Sequence, residues 1–355
     1  MGRITIGYGQ RRSVYGHTKA ETLKKMRDEI RRAEDGMPSP DGRTTVATFL
    51  REWLDGPAKA RLKASSFRTY FANVEQHIIP EIGSHRLTKL RPEHVDVLLA
   101  RKQAAGLSPR SIQYMRAILR SALAWAEKRG RVARNVAALS DAPRVVRQEI
   151  HPLTPEQART LVAACQGHPL GALIVTALDT GIRQGEALGL RWSDVDFERH
   201  ELRVAQALQR INGAPQFDEP KSATSRRTVA LTTLTAGFLR ELRTRQKAMR
   251  LKAGPEWQDT DLVFTSEIGA PLVGSTVTHQ FQRLLVDSGL PRQRFHDLRH
   301  ASASFLLAQG VGIKAVSERL GHSQITLTLS TYAHIADEIQ KDAASRMDAL
   351  LRGVK

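Results

Sequence analysis

Near the end of the chain, histidine, arginine and tyrosine follow one another in His296-Asp297-Leu298-Arg299-His300, Leu320-Gly321-His322 and Thr331-Tyr332-Ala333-His334. Upstream, Thr180-Gly181-Ile182-Arg183-Gln184-Gly185-Glu186 adds a second arginine. Guanidinium forks match phosphate oxygens two at a time. Imidazoles titrate near neutral pH and move protons. A phenol can become a covalent nucleophile. Arg183, Arg299, His296, His322 and Tyr332 therefore suit the attack of a tyrosine on a phosphodiester, a chemistry that needs no metal and no cofactor. No Asp, Glu or Cys set accompanies the histidines at ligand spacing, which argues against a zinc site. No Walker motif is present either.

Four pieces carry a resemblance: TGIRQGEALGLRWSDVDF (180–197), EPKSATSRRTVAL (219–231), HDLRHASASFLLAQGVGIKAVSERLGH (296–322) and STYAHI (330–335). Together they resemble the catalytic domain of the tyrosine recombinase (phage integrase) family, over roughly 205 residues from 151 to the end. A lone HxxR is a weak signal, but four pieces in the family's order are a strong one. Tyr332 lies 10 residues after His322, and His322 lies 23 after Arg299.

The resemblance implies roles. Arg183 and Arg299 would clamp the non-bridging oxygens of the scissile phosphate, where charge grows in the transition state. Lys221, in Pro220-Lys221-Ser222, resembles the family's hairpin lysine, the general acid for the departing 5′-oxygen. His296 resembles the proton-handling residue, His322 the phosphate-bonding one and Tyr332 the nucleophile. Glu186 and His300 read as supporting residues, Glu186 by holding Arg183 or a neighbouring backbone group. Asp297 reads as the residue that caps or orients its helix.

The function implied is site-specific recombination, most simply by a phage or mobile-element integrase. Such an enzyme cuts and rejoins strands through a 3′-phosphotyrosine and a Holliday junction. Its expected partners are double-stranded DNA, three further copies of itself and DNA-bending or directionality proteins. The rival readings are a catalytically silent DNA-binding protein of the same fold, a chromosome-dimer resolvase and a type IB topoisomerase. A complete residue set argues against the first, and residues 1–43 argue against the second, which lacks an arm module.

The elements that must position these groups are mostly helical. Residues 3–15 alternate apolar and polar side chains around Gly7 and Gly9 and read as two short strands, and Thr18 heads a helix. This stretch, 1–43, resembles the strand-plus-helix arm-binding module of phage integrases. Residues 44–139 read as four helices: TVATFLREWLDG, then SSFRTYFANVEQHIIPEIG stopped by Pro80 and Gly83, then RPEHVDVLLARKQAAG, then SPRSIQYMRAILRSALAWAEKRG behind a Ser108 cap. That block resembles the family's core-binding domain. Residues 140–153 read as a linker that lets two halves close on DNA as a C-clamp. From Thr154 to residue 355 the chain reads as helices with a small sheet, in which ELRVAQAL and SRRTVAL flank INGAPQFDEPKSAT and a hairpin bears Lys221. The segment after Tyr332 has an amphipathic pattern suited to packing on a neighbour. The expected fold class is thus mainly α with small β-sheets, in several domains.

Composition agrees with a polyanionic partner. The chain of 355 residues carries a net charge of +18, with a pI near 10.5. Residues 44–150 are the most basic stretch, with 19 Lys and Arg against 9 Asp and Glu. Helix starts attract phosphate, so Lys63, Ser65, Ser66 and Arg68 are the first candidates for DNA contact. Ser108, Arg110, Ser111 and Arg116 are the second. Cys165 is the sole cysteine, which excludes an internal disulfide and suits a bacterial cytoplasm, at the nucleoid. No run of apolar residues is long enough for a membrane span.

Overall fold

The computed structural model describes residues 2–6, 10–34, 42–145, 152–211, 213–218 and 226–321, and positions 344, 347, 348, 351 and 352. The chain forms two compact units, Met1–Gln148 and Glu149–Lys355. The division falls inside the Pro-containing, aperiodic segment 140–153.

The first unit opens with β1 (Gly2–Ile6) and β2 (Gln10–Val14), antiparallel, with Gly2 opposite Val14 and Ile6 opposite Gln10. Helix α1 (Lys19–Glu34) follows, and the Thr18 hydroxyl accepts the Glu21 N–H at its start. Ile4 and Thr22 are buried.

The helical block begins with α2 (Val46–Trp53), whose first turn is capped by the Thr45 hydroxyl. A widened turn at Leu54–Ala58 leads into α3 (Lys59–Arg61). Next come α4 (Ala64–Asn73), a second widened turn at Val74–Ile78, and α5 (Ile79–Ile82). Then follow α6 (Pro92–Ala104), α7 (Pro109–Lys128) and α8 (Val136–Leu139). Pro80 does not stop its helix, contrary to the sequence expectation; helical structure runs on to Ile82, and Gly83 ends it. The reason lies in the turn before it. Ile79 donates its N–H five residues back to Val74, and this wider turn absorbs the N–H that Pro80 lacks. Pro57 is accommodated in the same way, with Lys59 donating to Leu54. The core of this unit follows the helical period. On α7, Ile112, Met115, Leu119, Ala122, Leu123 and Ala126 face inward onto Phe49, Trp53, Ile78 and Leu98.

In the second unit, α9 (Pro155–Ala164) starts at a reciprocal cap: Gln157 N–H donates to the Thr154 hydroxyl, and Thr154 N–H to the Gln157 side chain. Helix α10 (Gly171–Thr180) is buried on nearly every face and packs against later helices of the unit. A helix apolar all round belongs inside. Short α11 (Gln184–Leu188) follows. Strands β3 (Val195–Asp196) and β4 (Glu201–Val204) join a later strand in a three-stranded antiparallel sheet. ELRVAQAL is not one strand. It breaks after Val204, and β5 (Ala207–Ile211) pairs with β6 (Ala214–Asp218) in a hairpin of its own. Ile211 pairs with Ala214, and Gly213 between them has φ +82°, the left-handed backbone that two-residue hairpins favour. Strand β7 (Arg227–Ala230) closes the first sheet, in the order β3-β4-β7. Helices α12 (Thr233–Ala253), α13 (Gly274–Asp287), α14 (Asp297–Ala308) and α15 (Ile313–Leu320) complete the described unit. Helix α10 packs on α12 and α14, and α14 on α15.

Candidate active site

The site is assembled at the turn between α10 and α11. Gly181 ends α10 in the left-handed region, at φ +63°. A Cβ here would lie 2.3 Å from Leu320 Cδ2, so glycine lets the end of α15 sit directly on the turn. Arg183 then takes an extended conformation, and its N–H donates to Glu186 Oε2 at 3.0 Å. Its guanidinium Nη1 donates to Glu186 Oε1 at 2.7 Å. The Glu186 side chain is 6% exposed, that of Arg183 40%. A buried carboxylate thus steadies an arginine whose head reaches solvent.

Arg299 comes from α14, 118 residues away, and donates to the Gly181 carbonyl at 2.7 Å. Only 3% of it is exposed. His296 stands at the start of the same helix, its carbonyl accepting the Arg299 N–H. Asp297, also buried, accepts from the Arg294 N–H at 2.7 Å and from the Arg294 guanidinium at 2.8 Å, which fixes the entry to α14. The structure therefore brings Arg183, Arg299, Glu186, His296 and His300 together. Lys221, His322 and Tyr332 lie outside the described residues. The continuous described stretch ends at Gly321, one residue short of His322, and β6 and β7 flank the stretch holding Lys221.

The electrostatics of the cluster follow from this packing. Burial pushes the Glu186 carboxyl up, but Arg227 and Arg183 outweigh it and hold the group below the ordinary carboxylate range. Desolvation pulls the His296 imidazole down to about 4, helped by His300, Arg299 and Arg183. The His296 side chain is solvent-exposed, which weakens the desolvation; the neighbouring His300, Arg299 and Arg183 keep the direction downward. His300 meets His296 edge to face at 5.3 Å between ring centres, and burial lowers it as well. At neutral pH His296 is an uncharged imidazole beside two guanidiniums, able to accept a proton.

Sequence reasoning missed Arg227, Asp179 and Arg319 in this network. Arg227, on β7, donates to Glu186 Oε2 at 3.0 Å and to the Arg319 carbonyl at 2.7 Å. Asp179 accepts from Arg319 at 3.0 Å and from the hydroxyls of Thr232 and Thr235 at 2.9 and 2.7 Å. The available signal for Arg227 was its alternation with Val229: in a strand the two share a face, and Val229 is core.

The helix starts proposed for DNA contact differ from one another. Lys63 precedes α4 in extended conformation without a side-chain cap, and Lys63 and Arg68 are exposed. Ser65 and Ser66 are half-buried, and the Ser65 carbonyl accepts the Thr69 hydroxyl. Ser108 caps α7 by accepting the Ser111 N–H, and the two hydroxyls are 2.9 Å apart. Arg110 is exposed. Arg116 is committed to the fold, donating to Ser140 Oγ and the Ala138 carbonyl to tie α7 to the end of α8.

Residues 151–338 match the model of the phage integrase family, and residues 45–99 that of the phage integrase N-terminal SAM-like domain. The chain belongs to the phage integrase family. It is a tyrosine site-specific recombinase. An integrase of Streptomyces ambofaciens is 31% identical over 95% of this chain and 88% of its own length. An integrase of Saccharopolyspora erythraea is 28% identical over 99% and 94%. A tyrosine recombinase XerC-like protein of Caldanaerobacter subterraneus subsp. tengcongensis is likewise 28% identical over 99% and 94%. Among solved structures, the Tn1549 transposon integrase in complex with transposon right end DNA aligns with a TM-score of 0.73 at 23% identity, over 86% of this chain and all of that one. A lambda integrase tetramer bound to a Holliday junction aligns at 0.63 and 18%, over 91% and 89%. At these identities the likeness to solved structures establishes the recombinase fold. No described helix is long and apolar enough to cross a membrane.

Proposed function

We propose that this recombinase integrates or excises a phage or other mobile element, with Tyr332 as nucleophile on duplex DNA. The observation that carries the reading is the convergence of Arg183, Arg299 and His296 on one turn. Two guanidiniums at the scissile phosphate neutralise the charge that builds on its non-bridging oxygens. The Tyr332 oxygen attacks phosphorus and passes its proton to the neutral His296. The bond to the 5′-oxygen breaks as Lys221 protonates the leaving alkoxide, and His322 hydrogen-bonds the phosphate. The diester energy is kept in the phosphotyrosine, so a 5′-hydroxyl from a second duplex reverses the step without ATP.

Residues 44–139 serve as the core-binding domain, with Lys63, Arg68 and Arg110 towards phosphates, and 1–43 as an arm-binding module. Residues 140–153 link them to the catalytic domain, 154–355. Four protomers exchange strands through a Holliday junction, the arrangement named for the lambda enzyme, with bending or directionality proteins assisting. The test is covalent trapping on nicked duplexes built from DNA flanking the gene, in EDTA. A denaturing gel should show a protein–DNA adduct for wild type and none for Tyr332→Phe. Tight specific binding with no adduct, or an adduct that survives Tyr332→Phe, refutes the assignment.

A further inference from the structure

We propose that Arg227 is a positioning residue that holds the Arg183 turn and the end of α15 in one register. The inference rests on the reading of Arg183 as a phosphate clamp. Arg227 stands on the core face of β7 with its side chain 6% exposed, and its guanidinium is engaged by protein acceptors. It donates in two directions. Nη2 meets Glu186 Oε2 at 3.0 Å, and Glu186 in turn accepts the backbone N–H and the guanidinium of Arg183. Nε meets the Arg319 carbonyl at 2.7 Å, in the last turn of α15. The turn that follows is moulded to the same guanidinium: a Cβ on Gly321, at φ +68°, would stand 3.0 Å from Arg227 Nη1 and 3.1 Å from Cδ.

Arg319 is gripped a second time by its own side chain, which donates to the Asp179 carboxylate at 3.0 Å and the Asp179 carbonyl at 3.1 Å. Asp179 lies two residues before Gly181, whose carbonyl holds Arg299. Arg227 therefore closes a ring of contacts: through Glu186 to Arg183, and through Arg319 and Asp179 back to the anchor of Arg299. His322 is the third residue after Arg319 in the chain. A fork with separated N–H groups spans two acceptors in a fixed geometry; a lysine ammonium keeps the charge without that fork.

The test is Arg227→Lys in the full chain, with Arg183→Lys and the double variant. Arg227→Gln is the poorer probe, because it leaves Glu186 buried without its chief counter-charge and threatens the fold. Single-turnover adduct formation is measured on nicked duplex at protein concentrations that saturate the DNA, with binding and thermal unfolding followed separately. Misplacing reacting groups by about 1 Å can cost on the order of a hundredfold in rate. Arg227→Lys should lose roughly ten- to a hundredfold in rate at saturation, with DNA affinity within about threefold of wild type. In the double variant the two losses should fail to multiply, because Arg227 acts through Arg183. Wild-type rate at saturation, a loss explained by weaker binding or less folded protein, or losses that multiply in the double variant would each overturn the proposal. Wild type on the same duplex reports on the recombinase reading separately.

Discussion

Gly181→Ala probes the turn on which the site is built. Two penalties combine. The residue sits at φ +63°, where an L side chain costs about 1–2 kcal/mol. The new methyl would also lie 2.3 Å from Leu320 Cδ2, an overlap that packed side chains relieve at about 1–3 kcal/mol. Gly289 separates the two terms within the same unit: its φ is +66°, and a Cβ there meets nothing within 4 Å. Gly289→Ala should cost the backbone term alone, about 1–2 kcal/mol. Gly181→Ala should cost about 2–5 kcal/mol, the sum of the two ranges. The assay is denaturant unfolding of the full chain, reading the transition of the second unit by fluorescence of Trp192 and Trp257. Leu320→Val serves as the second arm of a double-mutant cycle, since it withdraws the clashing methyl; in that background the Gly181→Ala increment should shrink towards that of Gly289→Ala. Equal costs for Gly181→Ala and Gly289→Ala, or no coupling to Leu320, would refute the claim that the end of α15 seats directly on this turn. The Gly181 carbonyl also anchors Arg299, so cleavage should fall more than the folded fraction does.

Three further outcomes are expected. Glu186→Gln leaves Arg227 buried with a neutral partner and should destabilise the second unit by about 3–5 kcal/mol at pH 7; because the folded carboxyl lies below its unfolded value, Glu186 stabilises above the unfolded pKa and that contribution fades as pH falls through the folded one, so the variant should show a flatter acid limb in unfolding experiments, and an unchanged limb would contradict the burial argument. In the free protein, the His296 imidazole should titrate near 4 in a histidine-labelled NMR experiment, well below the ordinary value near 6.5; since the unfolded chain takes up that proton first, stability drops as pH falls from about 6.5 towards 4, and a midpoint between 6 and 7 would refute the depression by desolvation and neighbouring cations. DNA affinity should fall steeply with salt, by roughly a thousandfold or more between 50 and 200 mM if about six phosphates are neutralised, and an affinity flat in salt would sink the electrostatic account of a chain carrying +18.

Much of the architecture was legible because its signals are local. Ser108, Thr154 and Thr232 each accept the N–H three residues on and start a helix where an oxygen side chain precedes a helical pattern. Gly181 and Gly321 end theirs at positive φ. Where the reading slipped, a second local rule competed. Pro80 reads as a stop, yet a widened turn ahead of it carried the helix on to Ile82. ELRVAQAL reads as one strand flanking a hairpin that bears Lys221, yet residues 207–211 leave it to pair with 214–218 in a hairpin of their own around the Asn-Gly signal.

The sequence by itself determined the residue types, their order and the local turns that present them: two arginines, histidines, a tyrosine, and glycines where the backbone must bend sharply. It also set the charge that marks a polyanionic partner. Only the tertiary structure decided who meets whom. The Gly181 carbonyl takes Arg299 from 118 residues away, and Glu186 is shared between Arg183 beside it and Arg227 from a strand 41 residues on. The physical reason is that helix period and capping act across a few residues, whereas a buried charge is tolerable only when packing delivers partners to it. Arg227 and Asp179 look like ordinary surface charges in the sequence; the sheet and the helices around α10 enclose them and turn them into the frame of the site.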